Sequence, residues 1–254
     1  MMDHKVVSRE EWIEARKALL DSEKSLTHMR DRIAAERRAL PWVRVEKTYE
    51  FDTPDGRKTL ADLFDGRSQL FVQHFMLAPG ETTQCVGCSF EADHLQPAFV
   101  HLRNHDVSLI AVARAPLAEI EVLRQRMGWH FPFVSSYGSD FNYDFNVSFT
   151  PEQVAAKRAN YNFQDIDPGM EDLHGNSVFY RDDQGQIFHT YSAYGRGAES
   201  LLTTYVVLDM TPKGRNEKGD LTDWVRPSTM YGKGGMVEPN GRYHAPTCGC
   251  SVHT

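Results

Sequence analysis

Two cysteines separated by two residues stand between an apolar run and the start of an amphipathic helix, and no other feature narrows the fold as much. Leu70-Phe71-Val72-Gln73-His74-Phe75 is a short apolar run bounded by turn signals, the pattern of a strand buried on both faces. Residues 78–83 read as a loop that delivers the chain to Cys85-Val86-Gly87-Cys88. From Ser89 to about Asn104 a helix is predicted, with Ala92, Leu95, Phe99 and Leu102 on one face. Val107 to Ala113 is a second apolar, β-branched run. Strand, crossover helix and strand predict two parallel neighbours inside a sheet.

The flanking segments extend this core. Val43 to Phe51 alternates as one strand, and Thr53-Pro54-Asp55-Gly56 is a turn. Thr59 to Phe64 reads as a short helix stopped at Asp65-Gly66. Pro116 opens a further helix with Leu117, Ile120, Leu123 and Met127 inward and Gly128 as its stop. Phe133 to Ser135 is a short strand. Ser177 to Arg181 and Ile187 to Tyr191 form a hairpin around Asp183-Gln184-Gly185, and Ala198 to Leu208 closes as a helix. The order is β-α-β-(CxxC)-α-β-α-β, an insertion, then β-β-α. That is the thioredoxin arrangement, an α/β fold with a central mixed sheet flanked by helices. Such sheets place their sites at the carboxyl ends of strands, where Cys85 and Cys88 fall.

Three regions are expected along the chain. Residues 1–41 form an N-terminal helical extension, 42–211 the thioredoxin-like domain with an insertion at 137–175, and 212–254 an irregular C-terminal tail docked by Trp224 and Tyr231. Ser8-Arg9-Glu10-Glu11 is a capping box for a long helix ending before Pro41. Along it Trp12, Leu19, Leu26, Ile33 and Leu40 recur every seven residues. This thin stripe fits either a helix lying on the domain's flank or an arm packing on a second subunit, giving a homo-oligomer.

Composition removes several classes of function. The net charge is −7, with 28 Lys and Arg against 35 Asp and Glu, so a nucleic-acid footprint is unsupported. No run approaches the ~18 apolar residues of a membrane span. Met1 to Glu11 is polar and lacks an apolar signal segment, so a cytoplasmic location is expected. No glycine-rich phosphate loop or nucleotide fingerprint is visible, and no cofactor is expected.

The 4 cysteines form two tight pairs, Cys85/Cys88 and Cys248/Cys250. In a reducing compartment such pairs point to redox work or metal binding. At a helix start, unpaired amides and the helix dipole favour a thiolate. Cys85 is then the exposed attacker, and Cys88, one turn inside, resolves the mixed disulfide. Two other readings stay open: a half zinc site, or two inert core thiols. All four cysteines, Cys85, Cys88, Cys248 and Cys250, would supply a thiolate site for copper or zinc, with His244 and His253 as further ligands. The tail could instead pass electrons to the CxxC, or be a flexible terminus with spare thiols. His74, His94, His101 and His105 read as surface or capping groups. Asp140 and Asp144 read as turn caps, or as a proton acceptor for Cys88. Trp129, Phe141, Tyr143 and Phe145 read as core or subunit contact rather than a cofactor box. Thr82 stands three residues before Cys85, a peroxidatic spacing without that motif's proline.

Several blocks carry a resemblance. They are His74-Phe75-Met76, Cys85-x-x-Cys88-Ser89-Phe90, Ala113-Arg114-Ala115-Pro116-Leu117, Arg126-Met127-Gly128-Trp129, Val134-Ser135-Ser136, Gly138-Ser139-Asp140-Phe141-Asn142-Tyr143-Asp144-Phe145 and Phe188-His189-Thr190-Tyr191-Ser192. Over about residues 8 to 215 the chain resembles a bacterial thioredoxin-like family of unknown physiological role, labelled predicted dithiol-disulfide oxidoreductases. The resemblance implies the fold and a redox role for the CxxC, acting on an unknown disulfide substrate or redox partner protein. Two departures stand out. The place of the thioredoxin cis-proline falls near Asn176, and Thr247-Cys248-Gly249-Cys250 lies outside the family pattern.

Overall fold

The computed structural model describes residues 4–246. The chain divides into two compact units, Met1–Pro41 and Trp42–Thr254. The first is a single helix, α1 (Arg9–Arg38). Ser8 Oγ accepts the Glu11 N–H at 3.2 Å, and the Glu11 carboxylate accepts the Ser8 N–H at 3.0 Å. Glu10 and Glu11 in the first turn, with Arg37 and Arg38 in the last, suit the helix dipole. No residue of α1 is buried. The stripe from Trp12 to Leu40 stays 36–54% exposed.

In the second unit the strands are β1 (Val43–Arg44), β2 (Glu50–Thr53), β3 (Gly56–Thr59), β4 (Gln69–His74), β5 (Gln84–Cys85), β6 (Val107–Ala113) and β7 (Phe133–Ser135). They continue with β8 (Ala159–Tyr161), β9 (Gln164–Ile166), β10 (Gly175–Arg181), β11 (Ile187–Tyr194), β12 (Met236–Val237) and β13 (Arg242–His244). The helices are α2 (Val86–Arg103), α3 (Leu117–Met127), the short α4 (Phe141–Asp144) and α5 (Pro151–Ala155), and α6 (Thr203–Asp209).

The main sheet runs β1-β11-β10-β4-β6-β7-β2-β3. β4 and β6 are parallel from Gln69↔Val107 to His74↔Val112, and β7 continues parallel to β6. β10 pairs antiparallel with β4, and β11 with β10. A parallel β4-α2-β6 unit joined through β4 to a terminal antiparallel hairpin is the thioredoxin fold, so the α/β architecture with a central mixed sheet stands.

The apolar β6 run is explained by burial on both faces. Leu109, Ala111 and Ala113 pack with Phe75, Ala92, Leu95 and Ile120 beneath α2 and α3. Ile110 and Val112 pack on the other face with Leu70, Val72, Phe141 and Phe179. Phe141 and Phe145 of the 137–175 segment cover that second face. Arg114 ties the same segment to the end of β6, with Nε donating to Asp172 Oδ1 at 2.7 Å and Nη1 to Tyr143 Oη at 2.9 Å.

Two expected elements are divided. Val43 to Phe51 is not one strand: β1 pairs β11 at one end of the sheet order, while β2 pairs β7 and β3 at the other. Ala198 to Leu208 is a 3₁₀ segment, Gly195–Leu201, followed by α6. Beyond Pro212 regular structure is sparse, but the chain is not loose there. Trp224 packs edge-on to Phe90 of α2 at 5.6 Å, whereas Tyr231 is 47% exposed. β13 then joins β12 and β5 in a three-stranded sheet of its own. No helix among the described residues is long and apolar enough to cross a membrane.

Candidate functional site

Cys85 ends β5 and is the N-cap of α2. Its Sγ accepts the Cys88 N–H at 3.3 Å, the helix-terminus bond that a serine or aspartate would make elsewhere. Cys88 lies one turn inside, and its Sγ accepts the Met76 N–H at 3.4 Å. The Met76 thioether lies 3.7 Å from Cys85 Sγ. Both cysteines are free thiols. The side chains around the turn are fixed as well. Ser89 Oγ donates to the Cys85 carbonyl and accepts from Gln84 Nε2, both at 2.7 Å.

The two sulfurs are inequivalent. The Cys85 thiol is shifted down, foremost by its hydrogen bond with the Cys88 thiol, then by the Cys88 N–H and the Arg242 charge, against the effect of burial. The Cys88 thiol is shifted well up by burial, and further by Cys85 and the Glu91 charge. A thiolate therefore concentrates on Cys85 while Cys88 keeps its proton.

The expected exposure of Cys85 is corrected. It is only 5% exposed, because β13 lies across β5 with Arg242 opposite Cys85 and Tyr243 opposite Gln84. The Val86 N–H, free in an ordinary helix start, donates to the Gly241 carbonyl at 2.9 Å. Arg242 is 7% exposed, and its Nη1 donates to the Met76 carbonyl at 2.9 Å. Tyr243 packs with Val86 and Phe90.

Beneath the pair lies a polar group that sequence reading missed. Glu91 of α2, Gln73 of β4 and Asn176 of β10 are each at most 3% exposed. Gln73 and Asn176 are paired in register, and Gln73 Nε2 donates to the Cys88 carbonyl at 2.9 Å. Burial pushes the Glu91 carboxyl up to about 8, with the Asn176 and Gln73 amides pulling it partly back. Neither Glu91 Oε1 nor the Asn176 amide has a hydrogen bond of normal geometry. The available signal was positional: Cys88, Glu91, Ala92 and Leu95 share the buried side of α2, so one charge interrupts an apolar stripe.

Replacing Glu91 tests this burial. A carboxyl whose folded pKa lies at about 8, above its ordinary 4.5, favours folding fully below that ordinary value. The contribution is lost as pH rises toward the folded pKa, at ~1.4 kcal/mol per unit of displacement. Wild-type thermal stability is expected to fall between about pH 5 and pH 8 through this group, and Glu91→Gln to flatten that slope. Thermal unfolding of both chains across the range is the measurement; equal slopes contradict the assignment.

The remaining candidates lie elsewhere. His74 faces away from Gln73, stacking on Phe145 and bonded through Nε2 to Ser177 Oγ at 2.9 Å. His94 bonds Thr204 Oγ1 at 2.8 Å, and His101 and His105 are exposed. Asp140 and Asp144 bind Lys47 Nζ at 2.6 and 2.7 Å. The buried carboxyl whose charge acts on Cys88 is Glu91 instead. Thr82 is exposed, and the hydrogen bonds at Cys85 come from Cys88 instead. His244 Nε2 meets Glu238 Oε1 at 2.7 Å. Cys248, Cys250 and His253 lie outside the described residues. Among those described, no group of three or more His, Cys, Asp or Glu residues is placed to hold a metal ion. There is no cis peptide bond among them, and Asn176 sits inside β10.

Comparison with known proteins gives one family. The description "Bacterial protein of unknown function (DUF899)" matches residues 1–231. No curated protein matches. Among solved structures, the chain is similar to peroxiredoxin Q of Xanthomonas campestris, at 14% identity and TM-score 0.42, over 62% of this chain and 90% of that one. Peroxidoxin BcpB from Mycobacterium tuberculosis gives 13% and 0.42, over 64% and 94%. The mitochondrial 2-Cys peroxiredoxin of Plasmodium falciparum gives 13% and 0.40, over 70% and 96%.

Proposed function

The chain belongs to the bacterial DUF899 family, and on that footing we propose that it is a dithiol–disulfide oxidoreductase working through Cys85 and Cys88. The carrying observation is the division of labour between the sulfurs: Cys85 is an N-cap with a lowered pKa, and Cys88 is a protonated, buried partner one turn on. The Cys85 thiolate attacks one sulfur of a substrate disulfide, whose S–S bond breaks and whose other sulfur leaves as thiolate. Cys88 gives its proton to the Glu91 carboxylate, which burial has made basic enough to take it near neutral pH. The Cys88 thiolate then attacks Cys85 Sγ, releasing the second substrate thiol and leaving a Cys85–Cys88 disulfide. Substrate gains two electrons and the dithiol loses two.

Turnover of glutathione disulfide with dithiothreitol as the final reductant tests this reading. Catalysis above the uncatalysed exchange rate, dependent on Cys85, is expected; a rate equal to buffer overturns it. The metal reading predicts zinc or copper retained by the reduced chain, and elemental analysis of the same sample decides between the two.

The α1 stripe is assigned a second copy of the same helix. Its seven-residue spacing is the period at which like helices pack as a left-handed pair. The full chain is expected to sediment as a dimer and a Leu19→Glu, Leu26→Glu variant as a monomer; a monomeric full chain contradicts the assignment.

A further inference from the structure

Resting on that reading of the CxxC, we propose that Asn176 and Gln73 are positioning residues for the resolving step: their facing amides cradle the Glu91 carboxyl beneath Cys88 and stabilise it both with and without its proton. The three side chains come from three elements, α2, β4 and β10, and each is at most 3% exposed. Gln73 and Asn176 stand directly opposite each other in the antiparallel β4–β10 pair, where facing Cβ atoms are ~5 Å apart. Gln73 Nε2 donates to the Cys88 carbonyl at 2.9 Å, which fixes the oxygen end of that amide.

Four polar atoms of this group are buried without a hydrogen bond of normal geometry: Gln73 Oε1, Glu91 Oε1, and Asn176 Oδ1 and Nδ2. A protein interior seldom leaves polar atoms in that condition, and here the set is complementary. An ionised carboxylate needs a donor, which Asn176 Nδ2 supplies. A protonated carboxyl needs an acceptor, which Gln73 Oε1 and Asn176 Oδ1 supply. Both amides pull the Glu91 pKa down against burial. They therefore hold more of the carboxyl in the form that takes a proton near neutral pH, where an apolar cradle would keep it protonated.

The titratable neighbours are few. The Cys85 charge acts on Glu91, and the Glu91 charge acts on Cys88. Arg242 of β13 acts on Cys85. β4 and β10 present the two amides, while His74 and Ser177 bond each other on the opposite face of the sheet. Tyr161 of β8 feels both sulfurs, but burial raises its pKa and its hydroxyl donates to the His174 carbonyl at 2.8 Å, so it keeps its proton. One proton moves each way in the cycle. When Cys88 attacks Cys85 Sγ, its proton passes to the Glu91 carboxylate. When an incoming thiolate opens the Cys85–Cys88 bond, Cys88 leaves as thiolate and takes that proton back.

The test is an infrared pH titration of the reduced full-length chain, following the carboxylic-acid C=O band that Glu91→Gln removes. Its midpoint is expected at about 8 in the wild type and higher in Asn176→Leu and in Gln73→Met. Each of these near-isosteric changes removes one amide, and either decides the matter if the other fails to fold. Resolution of the Cys85–glutathione mixed disulfide is then timed across the same pH range. Its midpoint is expected to move upward with the band, and Asn176→Leu is expected to cause no such displacement once Glu91→Gln is present. A band midpoint unchanged by the substitutions, a band that moves while resolution does not, or an equal displacement without Glu91 overturns the cradle. If the wild type resolves its mixed disulfide while any of these is found, the cradle fails alone. If Cys85 never forms a mixed disulfide, the CxxC reading fails and the cradle with it.

Discussion

A Cys85→Ser chain is expected to lose disulfide exchange by about 10³-fold or more, whereas Cys88→Ser is expected to keep the first attack and stall as a mixed disulfide. The asymmetry follows from the two environments. Cys85 has its pKa lowered, foremost by the hydrogen bond with the Cys88 thiol and then by the Cys88 N–H and the Arg242 charge, while Cys88 is pushed up by burial, by Cys85 and by Glu91. A serine hydroxyl at position 85 carries no comparable anion near neutral pH. At position 88 a serine hydroxyl can still donate to the Cys85 sulfur, so the attacking group is kept and the resolving sulfur is lost. Timed alkylation of wild-type protein reads the same difference, with Cys85 labelled ahead of Cys88. Equal labelling rates, or full turnover by Cys85→Ser, contradict the assignment.

The second large effect concerns the cover. Cys85 is 5% exposed with β13 in place, so a chain ending at Gly235 is expected to alkylate at Cys85 about 10-fold faster or more, equivalent to ~1.4 kcal/mol. The comparison belongs well above the thiol pKa, where ionisation no longer differs. Arg242→Ala separates charge from cover. Losing the cation should move the pH midpoint of Cys85 labelling upward. Exchange of the Val86 amide, bonded to the Gly241 carbonyl, should quicken in the shortened chain. Unchanged labelling in that chain would show that β13 does not guard the sulfur.

Sequence made the centre of the molecule readable because the informative residues there are local. Leu70–Phe75 and Val107–Ala113 are unbroken apolar runs, and burial on both faces is the physical cause of that pattern. Gly128 is left-handed at the end of α3, as its place after Met127 implies. What failed depended on partners far along the chain. Alternation in Val43 to Phe51 reports a strand's faces but not its neighbours, so its division between two ends of the sheet was hidden. β5 is two residues long and exists only because Arg242 and Tyr243 pair with it, so no periodicity announces it. The buried state of Cys85 was hidden for the same reason. Glu91 was visible as a charge on an apolar stripe, but its meaning required Gln73 and Asn176, brought to it from β4 and β10.

The central claim is that Cys85 and Cys88 exchange reversibly between dithiol and disulfide. It is tested most directly by a redox titration of the full chain in glutathione buffers with thiols counted and mapped by mass spectrometry at each poise. One reversible two-electron transition is predicted, in which Cys85 and Cys88 lose their free thiols together and recover them on reduction. Thiols at both positions that stay free at every poise, or that are blocked by a bound metal in the reduced chain, would contradict it.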